Sequence, residues 1–153
     1  MRRSCKDVEW FEDYNVGDEF LGEPVTLSER EIVEFARKHD PQPFHVDAAA
    51  AKQSPYGGLI ASGFHTAAAA WGGMLRAGFL NGHGVGAPGM DVKWLKPVRP
   101  GDTLTMLVRV VETRPSKSKL DRGFVSIQSS ISNQAGEEVM TMAFTEMIRT
   151  RPR

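Results

Sequence analysis

Residues 59–79, LIASGFHTAAAAWGGMLRAGF, decide the fold of this chain. On a helix these residues put apolar or small side chains on nearly every side, and such a helix is normally surrounded by other elements. We therefore predict a buried helix over this stretch. It is not predicted to cross a membrane, because it contains His65 and Arg76 and consists largely of weakly hydrophobic glycine and alanine. The same small residues allow a sheet to approach the helix backbone closely.

The chain after this helix has a different period. Apolar and polar residues alternate in four consecutive segments, which is typical of antiparallel strands with one buried face. A shorter strand, interrupted by a glycine and a proline, is predicted before the first helix. The pattern therefore predicts an α+β domain in which an antiparallel sheet of about five strands is wrapped around the long helix. The five predicted strands lie near residues 18–27, 90–94, 104–110, 125–131 and 140–148.

Two shorter helices are predicted before the long one. Ser28 and Glu31 have the spacing of a capping box, so a helix is expected to begin there. It is expected to end at Asp40, because the proline that follows disfavours helical geometry. Asp47 is placed to cap a short alanine-rich helix. The connecting residues 40–45 are expected to be irregular and extended.

Size, charge and cysteine content narrow the class of protein. The 153 residues fit a single domain, residues 1–153, with one core. Nineteen acidic and nineteen basic residues give a formal net charge of zero, which argues against nucleic acid and anionic membranes as partners. The one cysteine, Cys5, cannot form an internal disulfide, and the start of the chain lacks the apolar core of a signal peptide. We therefore expect a cytoplasmic protein.

Three residues are candidates for chemistry. Asp40 and His45 lie five positions apart on a backbone stiffened by prolines, and Gly63 lies at or near the start of the long helix. Free amides at a helix start can donate hydrogen bonds, and the helix dipole there favours negative charge. An acid/base pair beside such a donor is what an enolate-forming reaction needs. On residue types alone, a structural or surface role for the pair is the commoner interpretation.

At these positions the sequence resembles the MaoC-like dehydratases, a family that includes the (R)-specific enoyl-CoA hydratases. The resemblance is carried by DPQPFHVD at residues 40–47, GLIASG at 58–63 and WLKPVRPGDTL at 94–104, within a core of about residues 14–148. It implies the hot-dog fold and a hydro-lyase that adds water to a 2-enoyl thioester or removes it from a 3-hydroxyacyl thioester. The implied substrate is an acyl-CoA, and CoA enters only as part of that substrate.

The resemblance also implies the roles of the site residues. Asp40 and His45 hold and activate the water and return a proton to the α-carbon, and the amide of Gly63 binds the thioester oxygen. A homodimer is expected because an open sheet edge tends to be paired or covered, and the resemblance implies that each active site is lined by both subunits. No cofactor is expected. No metal is expected either, because no His, Cys or Glu grouping has the spacing of metal ligands.

Three further residues are predicted to contact the substrate. Gln42 stands where many family members have asparagine, and its longer side chain is expected to set the loop differently. Ser62 precedes the candidate oxyanion donor, without the Gly-x-Ser-x-Gly elbow of a serine nucleophile. Trp71 stands where some hydratases have a serine near the acyl chain, so its indole is expected to shorten or redirect the acyl pocket.

Two other functions stay open. Acyl-CoA thioesterase activity is one, since hot-dog folds host both chemistries, although the sequence offers no clear carboxylate aimed at the carbonyl from elsewhere. A non-catalytic subunit that binds acyl thioesters is the other, and the presence of both Asp40 and His45 weighs against it.

His65 is expected to be a core or interface residue. A basic stretch is expected to be either a solvated hairpin tip or a site for CoA phosphates; it comprises Arg114, Lys117, Lys119 and Arg122.

Overall fold

The computed structural model describes all 153 residues, which form a single eight-stranded sheet, four α-helices and two short 3-10 helices (Cys5–Asp7 and Phe11–Asp13). The strands are β1 (Arg2–Arg3), β2 (Glu19–Leu21), β3 (Val25–Thr26), β4 (Gly84–Gly86), β5 (Met90–Trp94), β6 (Thr103–Pro115), β7 (Arg122–Ser132) and β8 (Glu138–Arg149). The helices are α1 (Glu29–His39), α2 (Pro43–Val46), α3 (Ala48–Lys52) and α4 (Gly63–Arg76).

The sheet has the order β1-β2-β6-β7-β8-β4, with β3 also paired to β6 and β5 also paired to β8. All pairs are antiparallel except β1 with β2. The predicted α+β architecture is confirmed, and the strand number exceeds the predicted five. The additional strands are two or three residues long, which is too short for an alternating pattern to reveal them.

The core lies between α4 and the inner face of the long strands. Alternate side chains of β6 and β7 point inward and are buried, as their period predicts. On β8 the inward row has one exception to its apolar pattern, since Glu146 occupies a buried position between Phe144 and Ile148. The buried cluster also includes Cys5 and Val8, which precede the predicted core.

The two shorter predicted helices are present with their caps. The Ser28 side chain accepts from the amide of Glu31, whose carboxylate in turn accepts from Ser28, so the capping box starts α1. Asp47 accepts from two amides of the first turn of α3. In α1 the apolar face is buried through Ile32 and Ala36.

Two predicted boundaries are wrong. The long helix begins at Gly63 rather than at residue 59, because the preceding segment is extended and the amide of Ala61 donates to the carbonyl of Val98 (2.8 Å). Residues 40–45 are not wholly extended, because α2 adds a single helical turn that begins at Pro43. Proline suits a first helical position, where its fixed φ is helical and its missing N–H is not needed.

The long helix is partly enclosed by the sheet, as the predicted architecture requires. The sheet covers one side of α4, whereas Phe64, Ala68 and Leu75 on the opposite side are exposed. His65 is buried, as predicted, and stacks on Phe35. None of the helices combines the length and hydrophobicity needed to span a bilayer.

Candidate active site

The carboxylate of Asp40 lies where α1 ends and faces the start of α4. Asp40 is the C-cap of α1, and the proline that follows it prevents the helix from continuing. Ser62 Oγ donates to Asp40 Oδ2 (2.7 Å), and Gln42 Nε2 donates to Asp40 Oδ1 (2.7 Å). Because Ser62 is also the N-cap of α4, its hydroxyl ties the carboxylate to the tip of the long helix.

These contacts control the ionisation of Asp40. Partial burial acts to raise the pKa of its carboxyl, but the hydrogen bonds from Gln42 and Ser62 act to lower it, as does the charge of His45 when its ring is protonated, and together these outweigh burial. The net effect is a pKa below the ordinary aspartate value. Asp40 is therefore ionised at neutral pH and can accept a proton.

The imidazole of His45 approaches the same carboxylate from α2. Its ring is buried, with the residue 4% exposed, and Nδ1 lies 2.7 Å from the carbonyl oxygen of Ile60. The amide of Ile60 donates in turn to the carbonyl of Phe44, so two hydrogen bonds join α2 to the segment before α4. The other ring nitrogen, Nε2, lies 3.3 Å from Asp40 Oδ2.

The hydrogen bond to Ile60 fixes the protonation pattern of the ring. A carbonyl can only accept, so the proton of neutral His45 is on Nδ1 and Nε2 is a bare acceptor. Nε2 and Asp40 Oδ2 are then two acceptors that cannot bond to each other. A water molecule can donate one hydrogen to each, so the pair forms a site for a shared water.

Gly63 supplies the third element of the site. It is the first residue of α4, and its amide donates to no group of the chain. A side chain at this position is excluded by Trp94, because a Cβ atom on Gly63 would lie 2.3 Å from the indole Nε1. The amide thus remains open at a helix N-terminus, where the dipole favours a developing negative charge.

Asp40, His45 and Gly63 line one cleft, which we call the catalytic cleft, with a volume of about 470 Å³. Its opposite wall comes from the end of β5 and the segment after it. Arg99 braces one side by donating to the carbonyls of Tyr56 (2.6 Å) and Gly58 (3.3 Å). The remaining walls are largely apolar and include Phe44, Phe64, Thr66, Trp94, Pro97 and Val139.

The three predicted substrate contacts fall in different places. Gln42 lines the catalytic cleft and is bonded to Asp40. Ser62 is fully buried beneath Asp40 and lies outside the cleft lining. Trp71 follows Gly63 by eight positions, a rise of about 12 Å along the helix, and packs against Phe144 in a separate cavity. Their contact with substrate stays a prediction.

Sequence reasoning did not identify two groups of the site. The carbonyl of Ile60, which orients His45, is a backbone atom and leaves no signal in residue type. Trp94 lies in an alternating strand and has no feature that predicts contact with Gly63.

The four basic residues of the hairpin between β6 and β7 do not line the cleft. No group of three or more His, Cys, Asp or Glu side chains is arranged to hold a metal ion.

Comparisons with known proteins point to one family. The family model of the MaoC-like domain matches residues 13–131. The crystal structure of a MaoC-like dehydratase from Rhodospirillum rubrum is 38% identical, has a TM-score of 0.89, and aligns over 95% of this chain and 100% of that one. An uncharacterised protein of Bacillus subtilis, YdeM, is 28% identical over 139 residues, which are 90% of this chain and 97% of YdeM.

A more distant structure shares the fold. The (R)-hydratase PhaJ1 of Pseudomonas aeruginosa is 23% identical, with a TM-score of 0.75 over 93% of this chain and 86% of that one. Together with the structure from R. rubrum, this likeness confirms the predicted hot-dog fold.

Proposed function

Because this chain belongs to the family of the MaoC-like domain, we propose that it is a hydro-lyase acting on 2-enoyl and 3-hydroxyacyl thioesters, with acyl-CoA as substrate. The observation that carries the proposal is the 3.3 Å approach of His45 Nε2 to Asp40 Oδ2 beside the free amide of Gly63. The free, buried Cys5 is consistent with the proposed cytoplasmic location.

The proposed reaction begins with a water held between Asp40 and His45. The water oxygen forms a bond to the β-carbon of the enoyl group while Asp40 accepts one of its protons. His45 Nε2 accepts a hydrogen bond from the second hydrogen, which stays on oxygen and becomes the new hydroxyl group. The lowered pKa of Asp40 keeps the carboxylate ionised before the water arrives.

The electron pair of the double bond moves toward the thioester oxygen as the water adds. The amide of Gly63 donates to that oxygen, and the α4 dipole adds a favourable field. The proton on Asp40 then transfers to the α-carbon as the carbonyl re-forms, so Asp40 ends the cycle ionised. Dehydration follows the same steps in reverse, with no net gain or loss of protons by the protein.

A turnover assay tests this proposal. With enoyl-CoAs from crotonyl to dodecenoyl, we expect the enoyl-thioester absorbance to fall without release of free CoA. His45→Ala is expected to lower kcat/KM by about 10²-fold or more, because it removes one of the two acceptors that hold the water. His39→Ala, which changes an exposed histidine at the end of α1, is the matched control and should retain wild-type activity.

Three results would overturn the proposal in different ways. Release of CoA that keeps pace with substrate loss would identify a thioesterase. Tight binding of enoyl-CoA with no reaction would identify a non-catalytic subunit. Absence of both binding and reaction across the panel would remove acyl-CoA as the substrate.

We also propose that the protein is a homodimer. On its outer edge β5 pairs with no strand, and large apolar side chains around it are exposed, notably Phe64 (65%) and Trp94 (53%). Met90 and Leu95 extend this surface. An unpaired edge beside exposed apolar side chains is the kind of surface that a second copy covers.

Analytical ultracentrifugation at micromolar concentration tests the homodimer. We expect twice the chain mass for the wild type and a shift toward the monomer for Met90→Lys, which puts a charge on this surface. Val16→Lys is a matched control, because Val16 is also exposed but lies before β2. A wild-type monomer at these concentrations would contradict the proposal.

A further inference from the structure

A second cavity, which we call the distal cavity, follows the exposed side of α4 away from the catalytic cleft. It has a volume of about 950 Å³ and extends along α4 from Phe64 past Trp71 to Leu75. Phe64 also lines the catalytic cleft, so one side chain separates the two spaces. The two spaces therefore adjoin each other at Phe64.

The walls of the distal cavity suit a hydrocarbon chain. Trp71 forms one wall and meets the ring of Phe144 edge-on, with their centroids 5.3 Å apart. Leu75, Met90 and Met142 add further apolar surface. Burial of each methylene group of a ligand in such a space is favourable, so an acyl chain gains affinity with every carbon that enters.

One carboxyl group interrupts this apolar lining. Glu146 lies on the inward face of β8, two positions beyond Phe144, and is 6% exposed. Its Oε1 accepts from the amide of Gly86 (3.1 Å), and its Oε2 makes no hydrogen bond within the chain. No lysine, arginine or histidine lies within ion-pair distance of it.

A carboxyl group at this position is costly to the folded protein. Burial with only one backbone donor raises its pKa above the ordinary glutamate value. An apolar residue would continue the pattern of β8 at no such cost. Because Glu146 lines the distal cavity, its unbonded oxygen is an acceptor that a ligand in the cavity can satisfy.

Taking the distal cavity as the acyl-chain pocket of the proposed function, we infer that Glu146 selects chains with a hydrogen-bond donor, a hydroxyl group above all, at the far end. This inference rests on the proposed function, because it takes the thioester to lie at Gly63. A distal hydroxyl donates to Oε2, whereas a methyl group leaves that oxygen unpaired and a distal carboxylate is repelled.

Paired substrates test the selection. For each of hexenoyl-, octenoyl-, decenoyl- and dodecenoyl-CoA, kcat/KM is compared with that of the ω-hydroxy, ω-amino and ω-carboxy derivatives. At the chain length that reaches Glu146 we expect kcat/KM to be about tenfold higher for the ω-hydroxy chain than for the chain that ends in a methyl group, because one hydrogen bond to a charged or buried acceptor has about this effect. The ω-carboxy chain should be rejected.

Two variants assign the preference to Glu146. Glu146→Met should abolish the preference for the hydroxyl, because it has similar length and no acceptor. Glu146→Gln keeps an oxygen for the bond to Gly86 but carries no negative charge, so it should no longer reject the ω-carboxy chain, and it decides the question if the methionine variant does not fold. Glu112→Gln changes an exposed glutamate of β6 and should leave every ratio unchanged.

The failure of this inference is distinct from failure of the proposed function. Hydration of simple enoyl-CoAs with no ω-hydroxy preference at any length, or with the same ratios in both Glu146 variants, would overturn the inference alone. If nothing is hydrated, calorimetric titration with saturated octanoyl-CoA and 8-hydroxyoctanoyl-CoA, and with their longer homologues, decides it. Tighter binding of the hydroxylated chain that is lost in Glu146→Met supports the selection, and equal binding at every length overturns it.

Discussion

Two carboxyl groups lie along α4, and their surroundings differ. Asp40 faces the helix start, where Ser62, Gln42 and His45 surround its two oxygens. Glu146 lies in the distal cavity with one backbone donor and apolar neighbours. Burial acts on both in the same direction, yet the pKa of Asp40 is lowered and that of Glu146 is raised.

The number of donors explains the difference. Each hydrogen bond or nearby positive charge favours the ionised form of a carboxyl, and burial disfavours it. Asp40 has enough donors to reverse the effect of burial, so it is an ionised base. Glu146 does not, so it is an acceptor with spare capacity. Two acidic residues that line neighbouring cavities are thereby suited to the different tasks proposed for them, proton transfer at Asp40 and ligand selection at Glu146.

The largest effect is expected from removing the base. Asp40→Asn should lower kcat/KM for crotonyl-CoA hydration by about 10³-fold, because an amide accepts no proton from water. The loss should appear in kcat rather than in thermal stability. Asp47→Asn is the matched control, since asparagine also caps α3 and Asp47 lies outside the catalytic cleft. Activity of Asp40→Asn near the wild-type level would remove Asp40 from the mechanism.

A smaller effect is expected from crowding the oxyanion donor. Gly63→Ala forces Trp94 to move, and a shift of the helix start by a fraction of an ångström should lower kcat/KM by about 10- to 100-fold. In a Trp94→Ala background the clash is absent, so Gly63→Ala should lower kcat/KM much less there. Equal losses in the two backgrounds would show that the indole contact does not limit this position.

A shift in pH dependence is expected when Asp40 loses a donor. Gln42→Met removes the hydrogen bond to Oδ1 and should raise the pKa of Asp40 toward its ordinary value. The acid side of the kcat/KM profile should then move to higher pH, with little change at the optimum. A profile that superposes on the wild type would mean that Gln42 does not tune the base.

The smallest effect is expected in folding stability at Glu146. Its raised folded-state pKa means that the folded protein binds more protons than the unfolded one above the ordinary glutamate pKa. The wild type should therefore lose stability as pH rises from that value through the raised one. Glu146→Gln does not titrate and should show a flatter dependence in urea unfolding across that window. If stability fell more steeply with pH in the variant than in the wild type, the pKa of Glu146 could not be raised by folding.

Much of the site follows from residue spacing. Asp40 ends a helix because Pro41 follows it, and Gly63 starts one because Ser62 caps it, so both positions are determined by local chemistry. The turn that carries His45 was predicted as extended, since one helical turn is too short to leave a period in sequence. Glu146 was predictable in part, because the alternation of β8 puts residue 146 inward.

The sequence alone determined the long strands, α1, α3 and the caps of those two helices, because these depend on neighbours a few positions away, and its resemblance to a known family singled out Asp40 and His45 as the proposed acid/base pair. Only the tertiary structure decided which atoms meet. The carbonyl of Ile60 sets the His45 tautomer across fifteen positions, and Trp94 excludes a side chain at Gly63 from another element. The amide of Gly86 reaches Glu146 across sixty positions. Such contacts depend on the tertiary fold, which brings distant residues together. Secondary-structure propensity and hydrophobic periodicity are local properties of the sequence and do not encode them.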